Sequence, residues 1–174
     1  MSDTDPYTPP STEQTIAAGV PLIGERPLAS RMDRFLGSFI DGLIIIIPAG
    51  LIGFGIGSVM GEGILSTLVG GLAGFLIHIA VQYKFWAATS QSIGKKVMKT
   101  QIVNIEDGRP TDVGRIIKLR VFPISAMSLI PYAGNIIVLV DALAIFRKDH
   151  NTIHDDIAKT RVIKLDEMGT PLPK

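Results

Sequence analysis

Two long apolar runs dominate the pattern of hydrophobic and polar positions along the chain. Between Phe35 and Val59 the only charged residue is Asp41, and residues 64–83 contain no Asp, Glu, Lys or Arg. About 20 apolar residues are enough for a helix to cross the hydrocarbon layer of a bilayer. The pattern therefore predicts two transmembrane helices, which a short Gly-Glu-Gly turn at residues 61–63 joins into a hairpin.

A third uncharged stretch runs from Val121 to Val140, but its middle reads IPYAGN, a run of residues that break helices. We expect two short helices here, at about 116–130 and 135–146, which either cross the membrane with a tilt or enter it as a re-entrant hairpin. The predicted fold is thus an all-α integral membrane protein with two transmembrane helices, this broken third apolar segment and a small cytoplasmic loop and strand element.

The segments that flank the broken stretch favour strands. Residues 99–105 (KTQIVNI) and 159–165 (KTRVIKL) have similar patterns, and two such strands on one side of the membrane can pair. After the first strand, Thr111 or Asp112 is expected to cap an amphipathic helix. In that helix, Val113, Ile116 and Ile117 are expected to lie on lipid while Arg115 and Lys118 face headgroups.

The proline-rich and hydroxyl-rich N-terminal region marks the first boundary along the chain. We expect a disordered cytoplasmic tail over residues 1–28, a membrane domain over residues 29–165 and a short C-terminal tail over residues 166–174. Ser30 is a suitable N-cap for the first helix, with Asp33 at its third position. Pro48 is expected to kink that helix.

Basic residues lie beside the apolar runs and predict the orientation of the chain. The turn at 61–63 has no Lys or Arg, whereas Arg26, Arg31 and Arg34 precede the first run and several lysines and arginines follow the second. Positive loops face the cytoplasm, so we expect a multi-pass protein of the cytoplasmic membrane with both termini inside. Lys95, Lys96 and Lys99 are expected to contact anionic lipid headgroups.

Composition narrows the function classes. Hydrophobic residues make up 47% of the 174 residues and the net charge is only +1, which argues against nucleic-acid binding. The chain has no cysteine, so disulfides, thiolate catalysis and Cys-ligated zinc are excluded. No nucleophile and base occur at a recognisable spacing, and no set of metal ligands is evident, so we expect neither an enzyme, nor a metal site, nor a cofactor.

Arg34 and Asp41 are the first candidate functional residues. They are seven residues apart and share one helix face about 10 Å apart along the axis, so they cannot touch. Asp41 lies inside the apolar run, where a charge costs about 2.5–3.5 kcal/mol on insertion scales. It is therefore either a proton or cation site or one half of an interhelical structural pair. Arg34 could extend to lipid phosphates at the cytoplasmic edge.

His78, Asp141 and His154 are secondary candidates. His78, in the second run, could exchange protons with Asp41 or could simply hydrogen-bond a neighbouring polar group. Asp141, in the third stretch, is either a second carboxylate for a cation or a partner of Arg147 or Lys148. His154 and Asp155 suggest a metal or acid/base site, but we favour a structural clasp between the C-terminal segment and the cytoplasmic loop.

Three segments resemble the RDD family of membrane proteins, which is named for one Arg and two Asp. They are RFLGSFID at 34–41, QSIGKKVMKTQIVNIEDGRP at 91–110 and NTIHDDIAKTRVI at 151–163. The resemblance places the signature residues at Arg34, Asp41 and Asp155. One departure is Lys159, where the family usually has Gly. The resemblance implies either transport of ions or small ligands, including cation/proton exchange, or an accessory subunit. We expect a homo-oligomer or another membrane protein as partner.

Overall fold

The structure, a computed structural model, describes residues 22–23, 26–130, 133–147 and 151–171. In chain order its elements are β1 (Leu22–Ile23), β2 (Arg26–Pro27), α1 (Arg31–Met60), α2 (Ile64–Thr89), α3 (Ile93–Val97), β3 (Thr100–Asn104), α4 (Val113–Arg115), a π-helical turn (Ile116–Val121), α5 (Phe122–Ser128), α6 (Ala133–Leu143), a 3-10 turn (Ala144–Phe146), α7 (Ile153–Ala158) and β4 (Thr160–Lys164).

Helices α1 and α2 form the predicted hairpin. Ser30 caps α1 by accepting a hydrogen bond from the backbone N–H of Asp33, as the sequence predicts, and the helix continues through Pro48 to Met60. Gly61 follows with a φ of 72°, a conformation that glycine adopts easily. Both helices are long and apolar enough to cross a membrane, and the most apolar window of each contains no buried residue.

The third apolar stretch forms two short helical segments rather than one long helix. The first is made of α4, the π-helical turn and α5, and it ends at Ser128; the second is made of α6 and its 3-10 turn. Asp112 caps the first segment by accepting hydrogen bonds from the N–H groups of Gly114 and Arg115. The two segments pack against each other through α5 and α6.

Ile116, in the first segment, does not face lipid as the sequence predicts. Ile116 is 1% exposed and packs with Trp86, Ile102 and Val162, while Val113 and Ile117 pack against that group. The prediction that these three apolar residues lie on lipid is therefore wrong for Ile116. The reason is tertiary packing: this face of the helical segment covers the apolar side of a two-stranded sheet and does not face lipid.

That sheet consists of β3 and β4, which pair antiparallel with Ile102 opposite Val162. The two segments that resemble each other in sequence are thus paired in space. Leu28 forms an isolated bridge to Ile163, and the N–H of Ala29 donates to the carbonyl of Val162, so the residues just before α1 also lie along β4.

Residues 1–21 of the predicted tail, which is expected over residues 1–28, lie outside the described residues. At its end, the structure has β1 and β2 paired with each other instead of an irregular segment. Leu28 packs against Val103, Ile163 and Leu165, which gives these residues an apolar contact that the composition of the tail does not reveal. We call the end of the hairpin beside the sheet the sheet end, and the end at residues 61–63 the turn end.

Candidate functional site

Arg34 and Asp155 form a buried ion pair at the sheet end. Arg34 lies in the first turn of α1 and Asp155 in the first turn of α7, and Arg34 Nη2 donates to Asp155 Oδ2. Their side chains are 5% and 0% exposed. The expectation that Arg34 extends to lipid phosphates is not met, because its guanidinium lies inside the protein and is paired there.

Arg120 is a second cation on the same carboxylate. Its Nη1 atom donates to Asp155 Oδ1 and also to the hydroxyl of Thr160. Thr152 donates from its hydroxyl and from its backbone N–H to Asp155 Oδ2, at 2.9 and 3.3 Å. Both oxygens of Asp155 are therefore occupied by groups from α1, the π-helical turn and the start of α7.

Local sequence explains why Asp155 points inward. Thr152 is the N-cap of α7 and Asp155 is the third residue of the helix, so the two form a capping box. Burial raises the pKa of Asp155, but the guanidiniums of Arg120 and Arg34 lower it by more, and its pKa lies well below the ordinary value of 3.8. Asp155 is therefore ionised at any physiological pH.

Asp41 accepts three hydrogen bonds from neutral donors. Gln82 Nε2 and the backbone N–H of Gly94 donate to its Oδ1 atom at 2.8 and 2.7 Å, and Ser92 Oγ donates to its Oδ2 atom. Gln82 also accepts from the N–H of Ile93 at 2.9 Å. Asp41 and Gln82 together hold the start of α3 against the hairpin.

The depth of Asp41 differs from the sequence-based expectation. The residues from Gly42 to Met60 span about 28 Å at 1.5 Å per residue, which nearly covers a hydrocarbon layer of about 30 Å by themselves. On α2, Gln82 lies at the same level, since it bonds to Asp41. Asp41 therefore lies at the sheet end of the apolar part of the hairpin, where the loop supplies donors, and not in its middle.

Two glycines let α3 approach α1 closely enough for these bonds. Gly37 and Gly94 face each other, and a Cβ atom added at Gly94 would overlap the carbonyl oxygen of Gly37 and lie 3.0 Å from Cγ of Asp41. A Cβ atom at Gly37 would instead be 3.5 Å from the carbonyl oxygen of Gly94, an ordinary contact. Of these two glycines, Gly94 is therefore the one that the packing requires.

Lys95 follows Gly94 and is partly buried next to the charged residues described above. Burial lowers the pKa of Lys95 to about 8; Asp41 opposes this shift, and Arg120 and Arg34 add to it. Contact of Lys95, Lys96 and Lys99 with anionic lipid headgroups stays a prediction, and Lys95 differs from the other two in being partly buried. Lys96 and Lys99 are exposed, and the Lys96 ammonium lies 5.4 Å from the centre of the Phe85 ring.

Asp141 and His154, two separate candidates in the sequence, contact each other. Asp141 Oδ1 accepts from the backbone N–H of His154 at 3.0 Å, and Oδ2 lies 2.7 Å from the ring Nδ1. Burial and the nearby Arg120 lower the pKa of His154 below 6.5, although Asp141 raises it. The neutral ring then donates from Nδ1 to the carboxylate, and the pair ties α6 to α7.

The expected partners of Asp141 are engaged elsewhere or lie outside the described residues. Arg147 pairs with Asp156 at 3.2 Å, on the surface, and residue 148 is outside the described residues. His78 lies one helical turn before Gln82, and its ring centre is 5.5 Å from that of Trp86. Among the described contacts, none is a hydrogen bond between His78 and Asp41.

The part of the chain that the structure describes contains no group of three or more His, Asp or Glu side chains placed to hold a metal ion. His154 contacts Asp141 of α6, and Asp155 contacts Arg34 of α1 and Arg120 of the π-helical turn. The structural clasp that we favour for His154 and Asp155 stays an interpretation of these contacts. Arg120, Gln82 and Ser92 are site residues that the sequence analysis misses. Gln82 had one signal, since it is a polar residue within an apolar run.

These features define a class of protein: an apolar helix hairpin of membrane-spanning length, held at one end by a buried Arg-Asp-Arg cluster and a small sheet. The sequence model of the RDD family matches residues 28–159, which include Arg34, Asp41 and Asp155. The chain belongs to the RDD family, a family of membrane proteins.

Two relatives cover most of the chain. One, from Haemophilus influenzae, is 26% identical over 136 residues, which are 78% of this chain and 78% of the relative. The other, YxaI from Bacillus subtilis, is 30% identical over 149 residues, which are 75% of this chain and 93% of the relative. Both are described only as uncharacterized proteins. No solved structure matches the chain.

Proposed function

We propose that the chain is a non-catalytic subunit of a membrane assembly, in which the hairpin packs against further membrane helices. The observation that carries this proposal is that both signature carboxylates, Asp41 and Asp155, already accept several hydrogen bonds within the chain. Asp155 accepts from Arg34, Arg120 and Thr152, and Asp41 accepts from three neutral donors. Residues bonded in this way hold the fold together and leave little capacity to coordinate a passing ion.

The hairpin beyond Asp41 supports the same proposal. Its residues are all described, and between Asp41 and Glu62 none is charged. Many of its large side chains are exposed, such as Ile47 at 67% and Leu51 at 70%. These exposed apolar faces are suited to contact lipid and other helices.

Glycines on the hairpin would allow such contacts to be close. At Gly53, Gly57, Gly70 and Gly74 an added Cβ atom would meet no atom within 4 Å, so these backbones are open to a neighbour. Near the turn end several of them line an open groove of about 440 Å³ between α1 and α2. Small residues spaced four apart let helices pack tightly in lipid, where apolar burial alone gives little attraction.

Transport of ions or small ligands, including cation/proton exchange, is the second candidate function. It is favoured by Lys95, because burial lowers the pKa of this lysine toward the physiological range beside Asp41. His78 provides another titratable group one helical turn further into the hairpin. Several copies would have to enclose the pathway, since two membrane-spanning helices among the described residues enclose little volume.

A flux measurement separates the two functions. The purified protein in liposomes is expected to give no cation-dependent proton flux above that of empty vesicles. The matched variants are Asp41→Asn, which changes the bonded carboxylate, and Asp156→Asn, which changes an exposed one. Flux that Asp41→Asn abolishes and Asp156→Asn preserves would establish transport and contradict the subunit proposal.

Association can be measured directly, because the chain has no cysteine of its own. Single thiols at Gly53→Cys, on the open glycine face, and at Ile47→Cys, an exposed apolar position, report contacts between copies in native membranes. Cross-linking at the glycine face, or co-purification of one stoichiometric membrane partner from those membranes, is the expected result. A protein that is monomeric and without a partner would contradict the proposal.

A further inference from the structure

Three cations and three carboxylates lie inside the protein or partly inside it at the sheet end. The cations of this group are Arg34, Lys95 and Arg120, and the carboxylates that act on them are Asp41, Asp141 and Asp155. Both guanidiniums are paired with Asp155. Among these three cations, Lys95 is therefore the one without an ion-pair partner in the described part of the chain.

Asp41 is not an ion-pair partner of Lys95 in the described part of the chain. Its carboxylate acts on the ammonium electrostatically, but its oxygens accept hydrogen bonds from Gln82, Ser92 and Gly94. No described residue accepts a hydrogen bond from the Lys95 ammonium, while the backbone N–H of Lys95 donates to Ser92. The ammonium has three N–H donors, so a partly buried Lys95 leaves strong donors for an acceptor from outside the chain.

The depth of Lys95 indicates which acceptor is available. Lys95 lies on α3, whose first turn is bonded to Asp41 and Gln82. These two residues are about 28 Å from the turn end along the hairpin, so they lie at the edge of the hydrocarbon layer. That is the depth at which the phosphates of phospholipids and soluble anions meet the protein.

We propose that Lys95 is the centre of a binding site for a phosphate anion, supplied by an acidic phospholipid headgroup or by soluble phosphate. The guanidiniums of Arg34 and Arg120 add a positive field, since they already act on Lys95 from nearby. The anion accepts hydrogen bonds from the Lys95 ammonium and raises the pKa of Lys95 from about 8. This site differs from the surface lysines, because its cation is partly buried and held by the α3 packing.

Lipid binding to the full-length protein in neutral detergent tests the site. Native mass spectrometry is used to titrate phosphatidylglycerol and phosphatidylcholine, and thermal unfolding with inorganic phosphate tests the soluble source. We expect preferential binding of phosphatidylglycerol, stabilisation by inorganic phosphate, or both. Lys95→Gln should weaken the binding about tenfold, the equivalent of one charge-assisted hydrogen bond. Lys95→Arg should retain most of it.

Lys96→Gln is the matched control, because Lys96 is the adjacent lysine and is exposed. It should change the affinity by less than about twofold, as expected for a solvated charge. Equal losses in Lys95→Gln and Lys96→Gln would show a diffuse surface attraction and overturn the site, as would the absence of binding to either phosphate source.

If Lys95→Gln does not fold, NMR of ¹³C-methylated lysines in the wild type replaces the binding measurement on that variant. Phosphatidylglycerol or phosphate should then raise the pKa of Lys95, and an unchanged pKa with both would overturn the proposal.

Discussion

Arg34 and Asp155 are 121 positions apart in the sequence and form a buried ion pair at the sheet end of the hairpin. Arg34 belongs to the first turn of α1 and Asp155 to a helix that begins near the end of the described chain. The pair joins the membrane hairpin to the C-terminal segment, and Arg120 brings the third apolar stretch to the same carboxylate. Three parts of the chain that are distant in sequence therefore depend on one side chain.

Removal of that carboxylate is expected to be strongly destabilising. Asp155→Ala leaves two buried guanidiniums without a counter-ion, which costs about 3–5 kcal/mol for a buried pair that loses one partner. Unfolding of the purified protein by denaturant in mixed micelles measures the loss. Asp156→Ala is the control, since its partners Arg147 and Arg161 are on the surface and such pairs contribute about 0–1 kcal/mol. Similar losses in both variants would show that the Arg-Asp-Arg cluster does not hold the fold.

The lowered pKa of Asp155 predicts how the stability of the protein depends on pH. The pKa of Asp155 is well below 3.8 in the folded protein, so the unfolded chain binds its proton at a higher pH than the folded protein does. The stabilisation is fully present above about pH 4–5 and is lost as the pH falls toward the folded-state pKa. Melting temperatures in detergent between pH 7 and pH 3 should fall steeply at the acid end. Asp155→Asn should flatten that fall; an unchanged slope would assign the acid sensitivity to other groups.

Gly94 is predicted to be intolerant of even one methyl group. In Gly94→Ala the new Cβ would overlap the Gly37 carbonyl and press on Asp41, so α3 must move away from the hairpin. Overpacking of this kind costs about 1–3 kcal/mol, and the hydrogen bond from Gly94 to Asp41 would weaken as well. Gly37→Ala faces the same contact from the other side with ordinary spacing and should be nearly neutral. Melting temperatures of the two variants provide the comparison, and equal values would contradict the packing described here.

The sequence predicts the helices far better than it predicts their partners. Hydrophobic runs, the Ser30 cap and the IPYAGN break are local signals, and each corresponds to an observed boundary. The pairing of Arg34 with Asp155 and of Asp141 with His154 depends on how the elements are packed, which no local spacing encodes. Arg120 illustrates the difference, since in the sequence it is one of many basic residues beside an apolar run.

The face of an amphipathic helix is ambiguous for the same reason. Val113, Ile116 and Ile117 have the spacing of a lipid-facing stripe on a helix, yet the apolar side of the sheet covers Ile116. The hydrophobic pattern reports that a residue avoids water, not whether lipid or protein provides the apolar surroundings. In the same way, Asp41 looks deep in the sequence because the apolar run begins before it, while the loop at Gly94 surrounds it with donors.

The pairing of β3 with β4 predicts the topology of the broken third apolar stretch. Since Gln101 and Ile163 are register partners, the chain must leave and re-enter the sheet on one side of the membrane, and the two short helical segments between the strands must return to that side. Thiols at Glu106→Cys and Met168→Cys, both at exposed positions, should react with a membrane-impermeant maleimide from the same side. Glu62→Cys at the turn end should react only from the opposite side, because one helix crossing separates it from the sheet. Labelling of Glu106→Cys and Met168→Cys from opposite sides would exclude the β3–β4 pairing and require a single crossing between them.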